Sequence, residues 1–361
     1  MRRALVFALA LASCAPSLGR PFMQDRAAAE RAYSAGRYDE AADRWLAAEK
    51  HATRRRDRLE ARYRAAASLR RAGRHAEASK LLESLLAERP HSARAARAAF
   101  DHADIEIEYG NREQGYALLE RAIESYPRSG VALGALGRVA GHVEERDGVG
   151  SALAYLDRAR KKAASPGLAE LAQYRYAKEL ELLGRHEDAL REYLAQADRF
   201  PYPKGALWDD ALWSASLLEE KLGRVTRAIL HLEHMLAERE PSSMGGSYSR
   251  PRYAPARYRI AELYRDRLGD KPRARQEFHR VWDDHPTSLL RDDALWNAAR
   301  LERDAGDQDA ACTTLRTLAT GQPDSRYVPC ANALCPVLPS TKTKCHPYVL
   351  RALESGAERP E

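Results

Sequence analysis

The chain has 361 residues, 31% of them charged, and a formal net charge of +7. This length is too great for one compact core but suits an array of repeated units, each packing only on its neighbours. The 59 basic and 52 acidic residues are interleaved, so the positive surplus does not by itself indicate a nucleic-acid partner. The densest basic clusters, Arg54-Arg55-Arg56 and Arg70-Arg71, are interpreted as solvated helix ends.

The chain begins with a predicted export signal at residues 1–13. Two arginines precede an apolar run at residues 4–11, which is too short for a membrane-spanning helix. The sequence LASC at residues 11–14 resembles the lipobox of bacterial lipoproteins, and this resemblance implies cleavage before Cys14 and its lipidation. The alternative is an ordinary signal peptide that is cut a few residues later. Ala15, where inner-membrane lipoproteins carry Asp, implies an outer-membrane lipoprotein that faces the periplasm.

Residues 14–25 are predicted to form a tether between this anchor and the first helix. The segment APSLGRPFMQD is rich in Pro, Gly and polar residues, which disfavour regular structure. Several acyl chains on one cysteine bury methylene groups at about 0.8 kcal/mol each, which is enough for stable anchoring. The tether is therefore expected to hold the following domain close to a membrane surface.

From residue 26 to residue 323 the chain repeats one pattern. The segment at residues 182–201 shows it most completely, with a glycine turn at Gly184, Ala189 five residues later, and Pro201 at the end. Glycine suits the joint between two antiparallel helices, and a small residue lets the second helix cross the first at close range. Proline ends the second helix. The crossing position recurs eight times, at Ala41, Ala78, Gly115, Ala152, Ala189, Ala228, Ala274 and Ala311.

Two more positions recur on the first helix of each unit. The turn residue is glycine throughout, except for Asp147 in the fourth unit. A small residue lies seven positions before the turn, with the seventh unit displaced by one: Ala29, Ala66, Ala103, Ala140, Ala177, Ser216, Ala261 and Ala299. An aromatic residue lies ten positions before the turn in five units: Tyr63, Phe100, Tyr174, Trp213 and Trp296.

Together these positions resemble the tetratricopeptide repeat, a helix–turn–helix unit with Gly, Ala, aromatic and Pro landmarks. The resemblance implies an all-α, right-handed solenoid of about eight helical hairpins over residues 26–323. The usual repeat has about 34 residues, and most units here are longer. Their long first helices, as in PYPKGALWDDALW and PTSLLRDDALW, resemble the repeats of periplasmic lipoproteins such as BamD and CpoB.

The pattern is interrupted at residues 240–255, EPSSMGGSYSRPRYAP, which we predict to be a loop insertion. The insertion is either a tolerated surface loop or a mobile segment that contacts a partner. Residues 324–361 are predicted to form a cap, because the last repeat of a solenoid otherwise exposes an apolar face. Clustered cysteines in an exported protein favour two disulfides, in any of three pairings, among Cys312, Cys330, Cys335 and Cys345. A zinc site that includes His346 is disfavoured, since paired CxxC sequences are absent.

In tetratricopeptide repeats the first helices line a groove, so the resemblance implies that the aromatic series could bind an extended peptide or a partner helix. Alternatively, the rings pack between hairpins, which we favour for Tyr63 and Phe100. Two of the tryptophans follow aspartate pairs that could form a polar rim for a basic partner. The predicted groove residues are Trp213, Trp296, Tyr174, Asp209, Asp210, Asp292 and Asp293.

Two short motifs suggest chemistry on weaker grounds. The segment at residues 275–278, RQEF, resembles the glutamate region of lytic transglycosylases, but no glycine-rich segment of that family follows it. Glu277 is therefore predicted to be a solvated helix residue. His231 and His234 lie one helical turn apart without HExxH spacing, and we predict that they bind no metal.

We therefore predict a non-enzymatic scaffold lipoprotein without a cofactor, which mediates protein–protein interactions in envelope assembly or maintenance. The sequence contains no glycine-rich phosphate loop, GxSxG or Walker motif, so neither catalysis nor a small-molecule substrate is predicted. One alternative is an accessory subunit of an enzyme system that acts on peptidoglycan. Another is a cytoplasmic regulatory repeat protein, which would have reduced cysteines and no lipid.

Overall fold

The computed structural model describes residues 19–92, 94–238, 251–339 and 343–354. Over these ranges the chain forms 18 α-helices, one 3₁₀ helix and no strand. Cys14 and the predicted signal at residues 1–13 lie outside the described residues. So do residues 240–250 of the predicted insertion and residues 340–342 and 355–361 of the predicted cap. Within the part of the chain that is described, no helix combines the length and apolar character needed to cross a bilayer.

The chain divides into two compact units, Met1–Ala172 and Gln173–Glu361. In the N-terminal unit, eight helices pair in sequence order as four antiparallel hairpins. They are α1 (Arg20–Ser34), α2 (Tyr38–His51), α3 (Arg55–Arg71), α4 (His75–Glu88), α5 (Ala95–Tyr109), α6 (Arg112–Ser125), α7 (Ala132–Asp147) and α8 (Val149–Lys162). The next helix, α9 (Pro166–Leu182), contains the boundary between the units.

The C-terminal unit continues the same alternation. Tyr193 on α10 contacts α9 through a hydrogen bond from its hydroxyl to Glu181, and three further hairpins follow. The helices are α10 (His186–Arg199), α11 (Trp208–Lys221), α12 (Val225–Ala237), α13 (Tyr253–Asp266), α14 (Lys271–Asp284), α15 (Arg291–Asp304) and α16 (Gln308–Gly321). A 3₁₀ helix (Val328–Cys330), α17 (Ala331–Leu334) and α18 (Pro347–Glu354) complete the unit. The predicted all-α fold of eight helical hairpins is confirmed.

The predicted crossing positions are buried in all eight hairpins. Ala78 and Ala189 are 0% exposed, and Ala152 is 1% exposed. At Gly115 the crossing is tight, because a Cβ placed there would lie 2.5 Å from the backbone nitrogen of Ile107 on the preceding helix. The size of the side chain at the crossing position therefore limits how closely the two helices of a hairpin approach each other, as the pattern of small residues predicts.

The turns follow the predicted glycines with two local differences. In the fourth hairpin the left-handed conformation falls on Gly148, with φ of 83°, one residue after Asp147. In the third hairpin Gly110 has φ of −119°, and the side chain of Asn111 caps α6 by accepting a hydrogen bond from the Gln114 amide. A capping side chain satisfies an amide that the helix start leaves free, so this turn does not depend on a left-handed glycine.

Two predicted boundaries differ from the structure. Helix α1 begins at Arg20, and its Phe22 is buried against the first and second hairpins, so residues 20–25 belong to the repeats rather than to the tether. Pro21 is compatible with this start, because proline fits the first turn of a helix. Helix α13 begins at Tyr253, so the last three residues of the predicted insertion are helical.

The cap covers the end of the last hairpin. Disulfides join Cys312 to Cys335 and Cys330 to Cys345, and the first of them connects α16 to the segment beyond it. The buried cluster beneath them contains Leu295, Trp296, Leu315, Tyr327, Leu334 and Val349. The described residues contain no group of three or more His, Cys, Asp or Glu side chains placed to hold a metal ion.

Candidate partner-binding groove

Trp296 is a core residue rather than part of a groove. Its side chain is 2% exposed, and its ring stacks on Tyr327 with centroids 4.8 Å apart and an interplanar angle of 16°. The two aspartates before it are also engaged, since Asp292 accepts a hydrogen bond from Ser325 and Asp293 accepts from Arg326 and Tyr327. Residues of the cap thus occupy the position at which the sequence analysis predicted a basic partner.

Trp213 and its aspartates are likewise engaged within the chain. The Arg252 guanidinium lies over the half-buried Trp213 ring and donates to Asp210 over 3.0 Å. Asp209 is buried, with 4% of its surface exposed. Arg252 is the N-cap residue of α13, so this contact joins the sixth hairpin to the seventh.

The same arrangement occurs in the N-terminal unit. Arg94, the N-cap residue of α5, donates to both carboxylate oxygens of Glu60 and lies 4.9 Å from the centroid of the Tyr63 ring. Burial alone would raise the pKa of Glu60, but hydrogen bonds from Arg94 and Arg64 outweigh it and hold the pKa of this carboxyl below its usual value. We call this combination the inter-hairpin clamp: an acidic residue, an aromatic residue three positions later, and an arginine that begins the next hairpin.

Sequence reasoning found the aromatic member of the clamp but missed its arginine. The acidic and aromatic members recur as Glu60 with Tyr63 and Asp210 with Trp213. This spacing could have predicted a shared basic contact from the next hairpin. Residues three apart on a helix share a face, so both can contact one side chain from the neighbouring hairpin. The half-buried ring of Tyr174 lies 5.5 Å from the ring of Tyr193, and burial raises the pKa of Tyr174.

An open cavity of about 630 Å³ lies on the first helices of the N-terminal unit. Tyr33 of α1 and Tyr109 of α5 stand at its edges and are 37% and 58% exposed. We call this surface the N-terminal groove; its polar and aromatic lining is Tyr33, Tyr63, Arg64, Arg70, Arg71, Arg97, Asp101 and Tyr109. Its position on α1, α3 and α5 is the one that the repeat pattern predicts for a partner site.

Asp101 fixes the floor of the N-terminal groove. It accepts hydrogen bonds from the Tyr63 hydroxyl over 2.7 Å and from Arg97 over 3.1 Å. Burial, reinforced by the charge of Asp101, raises the pKa of the Tyr63 hydroxyl to about 12. The tyrosine is therefore a neutral hydrogen-bond donor at physiological pH.

The rim of the N-terminal groove carries a surplus of positive charge. Arg70 donates to Glu108 over 3.1 Å, so the interpretation of Arg70 as only a solvated helix end was incomplete. Arg71 is exposed, and no carboxylate of the described residues lies within ion-pair distance of it. Exposed tyrosines beside an available guanidinium suit a partner that offers carboxylates and a flat apolar or peptide surface.

The two weaker motifs have structural explanations. Glu277 is 7% exposed and forms ion pairs with Arg257 at 3.0 Å and Arg280 at 2.8 Å, so the prediction of a solvated residue was wrong. His231 lies 3.8 Å from Glu219, and burial lowers its pKa. His234 packs edge-on against Trp208, with ring centroids 5.6 Å apart. These contacts account for all three residues as parts of the packing between helices.

Comparisons with known proteins support the repeat assignment. A family model described as a tetratricopeptide repeat matches residues 60–92, 255–288 and 293–325, which are the second, seventh and eighth hairpins. No curated protein matches the chain. The recurring landmarks of the fold and these matches show that the chain contains tetratricopeptide repeats. Such repeats form scaffolds for protein–protein interaction and are typically non-catalytic.

Several solved structures are similar to the chain. A tetratricopeptide repeat protein from Parabacteroides merdae is 14% identical over 78% of this chain and 99% of its own, with a TM-score of 0.35. PilF of Pseudomonas aeruginosa is 19% identical over 66% of this chain and 96% of its own, with a TM-score of 0.36. YrrB, described as having an unusual peptide-binding site, is 16% identical over 60% of this chain and 97% of its own, with a TM-score of 0.36. At such TM-scores these likenesses give no information about the partner of this chain.

Proposed function

We propose that the protein is a non-enzymatic scaffold lipoprotein that holds protein partners at the periplasmic face of a bacterial outer membrane. Cys14 is its lipid-bearing residue, and the tetratricopeptide repeats provide its binding surface. Its partners belong to complexes that assemble or maintain the envelope, a proposal supported by the resemblance of its long first helices to the repeats of BamD and CpoB.

The observation that carries the proposed location is the pairing of the cysteines. The sequence contains five cysteines, and the four other than Cys14 form the two disulfides of the cap. Disulfides persist in oxidising compartments such as the periplasm and are rare in the cytosol. This pairing supports export and disfavours the cytoplasmic alternative.

The N-terminal groove supports the scaffold role. It places two exposed tyrosines and Arg71 on adjacent first helices, where a bound segment would meet several hairpins at once. Rigid aromatic rings and arginine are the side chains that contribute most to protein–protein binding. An extended segment with acidic side chains fits this combination of charge and shape.

Labelling with a palmitate analogue in a bacterial host, followed by fractionation of the envelope, tests the lipoprotein proposal. The wild-type chain is expected to be labelled and to sediment with outer membranes, and Cys14→Ser is expected to lose the label. Ser17→Ala, which changes the tether without touching the thiol, serves as the control and should keep the label. Label that persists in Cys14→Ser, or an unlabelled cytosolic protein whose four cap cysteines are all reduced, would refute the proposal.

A further inference from the structure

The N-terminal unit has two edges that differ in their chain connections. The edge formed by the tight turns inside the hairpins is called the turn edge. The edge formed by the connections between hairpins is called the linker edge. Successive connections contact one another along the linker edge, since the Tyr126 hydroxyl donates to the Pro90 carbonyl and Ser165 donates to the Pro127 carbonyl over 2.8 Å. At the first hairpin, His51 lies 2.8 Å from Asp25 of α1. Helix α1 also begins at this edge, because Asp25 lies in its second turn.

The two edges carry opposite charge. The linker edge has fifteen Lys and Arg residues against five Asp and Glu, counted over residues 19–26, 49–58, 86–97, 124–132 and 158–168. The turn edge has seven against nine, counted over residues 31–40, 68–77, 105–114 and 142–151. The positive surplus of the unit is therefore concentrated on one edge rather than spread over its surface.

Three basic side chains of the linker edge, Arg55, Arg56 and Arg89, are accessible. The side chains of Arg55 and Arg56 are 50% and 81% exposed, and their nearest carboxylates, Glu88 and Asp57, lie 3.4 and 3.7 Å away. Arg89 is exposed as well. These ion pairs are long and solvated, so they neutralise the arginines only weakly.

A concave notch of about 680 Å³ lies between these arginines. Arg55, Arg56 and Arg89 line it together with Asp57 and with Arg94, which is paired with Glu60. Beside them the buried Ser92 hydroxyl has no hydrogen-bond partner among the described residues. Guanidinium groups and a hydroxyl donor are the groups that bind phosphate oxygens in proteins. The notch therefore has the charge and the donors for a phosphate head group.

The linker edge is also the edge that a lipid anchor would bring to a membrane. Five residues separate Cys14 from Arg20, and a fully extended chain spans at most about 3.6 Å per residue, so an anchored Cys14 keeps the start of α1 within roughly 20 Å of the bilayer. This part of the inference rests on the proposed lipidation of Cys14. The charge on the edge does not depend on it.

We propose that the linker edge of the N-terminal unit docks on a surface of anionic phospholipid. The basic residues are attracted to the negative surface, and the attraction acts within about 10 Å, the Debye length at moderate ionic strength. Lipidation keeps the edge near the surface, so a weak electrostatic contact is sufficient to orient the unit. Docking in this way leaves the opposite, turn edge directed away from the bilayer.

Vesicle sedimentation tests the proposal without the anchor. The protein is the chain from residue 14 onward with Cys14→Ser, which keeps every described residue and accepts no lipid. We expect it to bind vesicles of equal parts phosphatidylcholine and phosphatidylglycerol, to bind phosphatidylcholine alone far more weakly, and to dissociate as salt is raised. Because each arginine near an anionic surface contributes about fivefold, replacing Arg55, Arg56 and Arg89 by Gln should weaken binding at least about tenfold.

The matched control replaces Arg31, Arg37 and Arg112 of the turn edge by Gln, which changes the net charge equally. Circular dichroism and thermal unfolding establish that both variants are folded. Equal loss in the two variants, or equal binding of both kinds of vesicle, would overturn the proposal, and so would salt-sensitive binding to duplex DNA without binding to vesicles. Because the protein used for sedimentation lacks Cys14, a failure to bind vesicles would not affect the proposal that Cys14 is lipidated. Conversely, a failure of palmitate labelling would not affect the vesicle-binding result.

Discussion

The guanidinium of Arg252 lies 5.4 Å from the ring centroid of Trp213. Asp210, three residues before the tryptophan, holds the same arginine from the side. Arg94, Glu60 and Tyr63 repeat this arrangement in the N-terminal unit. Trp213, which the sequence analysis assigned to partner binding, thus joins one hairpin to the next, and so does Tyr63, for which packing between hairpins was favoured.

The first prediction concerns this clamp. Cation–π contacts at partly exposed sites contribute about 0.5–1 kcal/mol, so Arg252→Ala and Trp213→Ala should each lower the free energy of unfolding. In a double-mutant cycle measured by urea unfolding, the two changes should couple by about that amount. Additive effects within error would show that the ring and the guanidinium do not interact energetically.

The second prediction concerns the helix crossing at Gly115. Gly115→Ala places a methyl group against the backbone of Ile107, and because backbone cannot yield as a flexible side chain does, the change should destabilise the protein by about 1–3 kcal/mol. Gly134 lies on α7, where an added Cβ meets no atom within 4 Å. Gly134→Ala should therefore stabilise the protein by about 0.5–1 kcal/mol. Urea midpoints of the two variants compare them directly, and a Gly115→Ala protein as stable as the wild type would contradict the crossing geometry.

The third prediction is a pH dependence at His231. Burial lowers its pKa in the folded protein, whereas in the unfolded chain the pKa is about 6.5. Below pH 6.5 the unfolded state therefore binds more protons than the folded state, and stability should fall as the pH falls until the folded-state pKa is reached. Chemical unfolding between pH 7.5 and about pH 5 should show a shallower loss in His231→Gln. An identical loss in both proteins would exclude this histidine as a source of the dependence.

The fourth prediction separates the cap from the repeats. Replacing Cys330 and Cys345 by Ser removes one bridge, and disulfides of this loop length contribute about 2–4 kcal/mol. Contacts in a solenoid run only between neighbours, so the effect should remain local. Hydrogen exchange should accelerate at α18 and the 3₁₀ helix but not at α3 or α5. Acceleration throughout the N-terminal unit would contradict a local role.

Much of the fold could be predicted because its determinants are local. The glycine turns, the small crossing residues and the terminal prolines act within one hairpin, and Ala41 and Ala311 obey the same rule at the two ends of the array. The turn at Gly148 was displaced by one residue, since the register of a turn depends on backbone conformation as well as on residue type.

The site was less predictable because it depends on contacts between hairpins and beyond the repeats. Trp296 occupies the same repeat position as the other aromatic residues, but the cap buries it. The repeat period does not specify where residues 324–339 pack, so this burial could not be predicted. Tyr33 and Tyr109 lie three and one residues before their turns, away from the recurring aromatic position, so their convergence on the N-terminal groove becomes visible only when α1, α3 and α5 are placed side by side.

The most direct test of the scaffold role compares proteins captured from crosslinked envelopes by the wild-type chain, by a groove variant and by a control. The groove variant is Arg71→Glu with Tyr109→Ala, and the control is Arg121→Glu, an exposed arginine on α6. If the N-terminal groove holds a partner, one crosslinked protein captured by the wild type and the control should be reduced at least about tenfold in the groove variant, as expected when two contacts of about 1 kcal/mol or more are lost. Identical sets of crosslinked proteins from all three chains would contradict the assignment of the groove as the partner-binding surface.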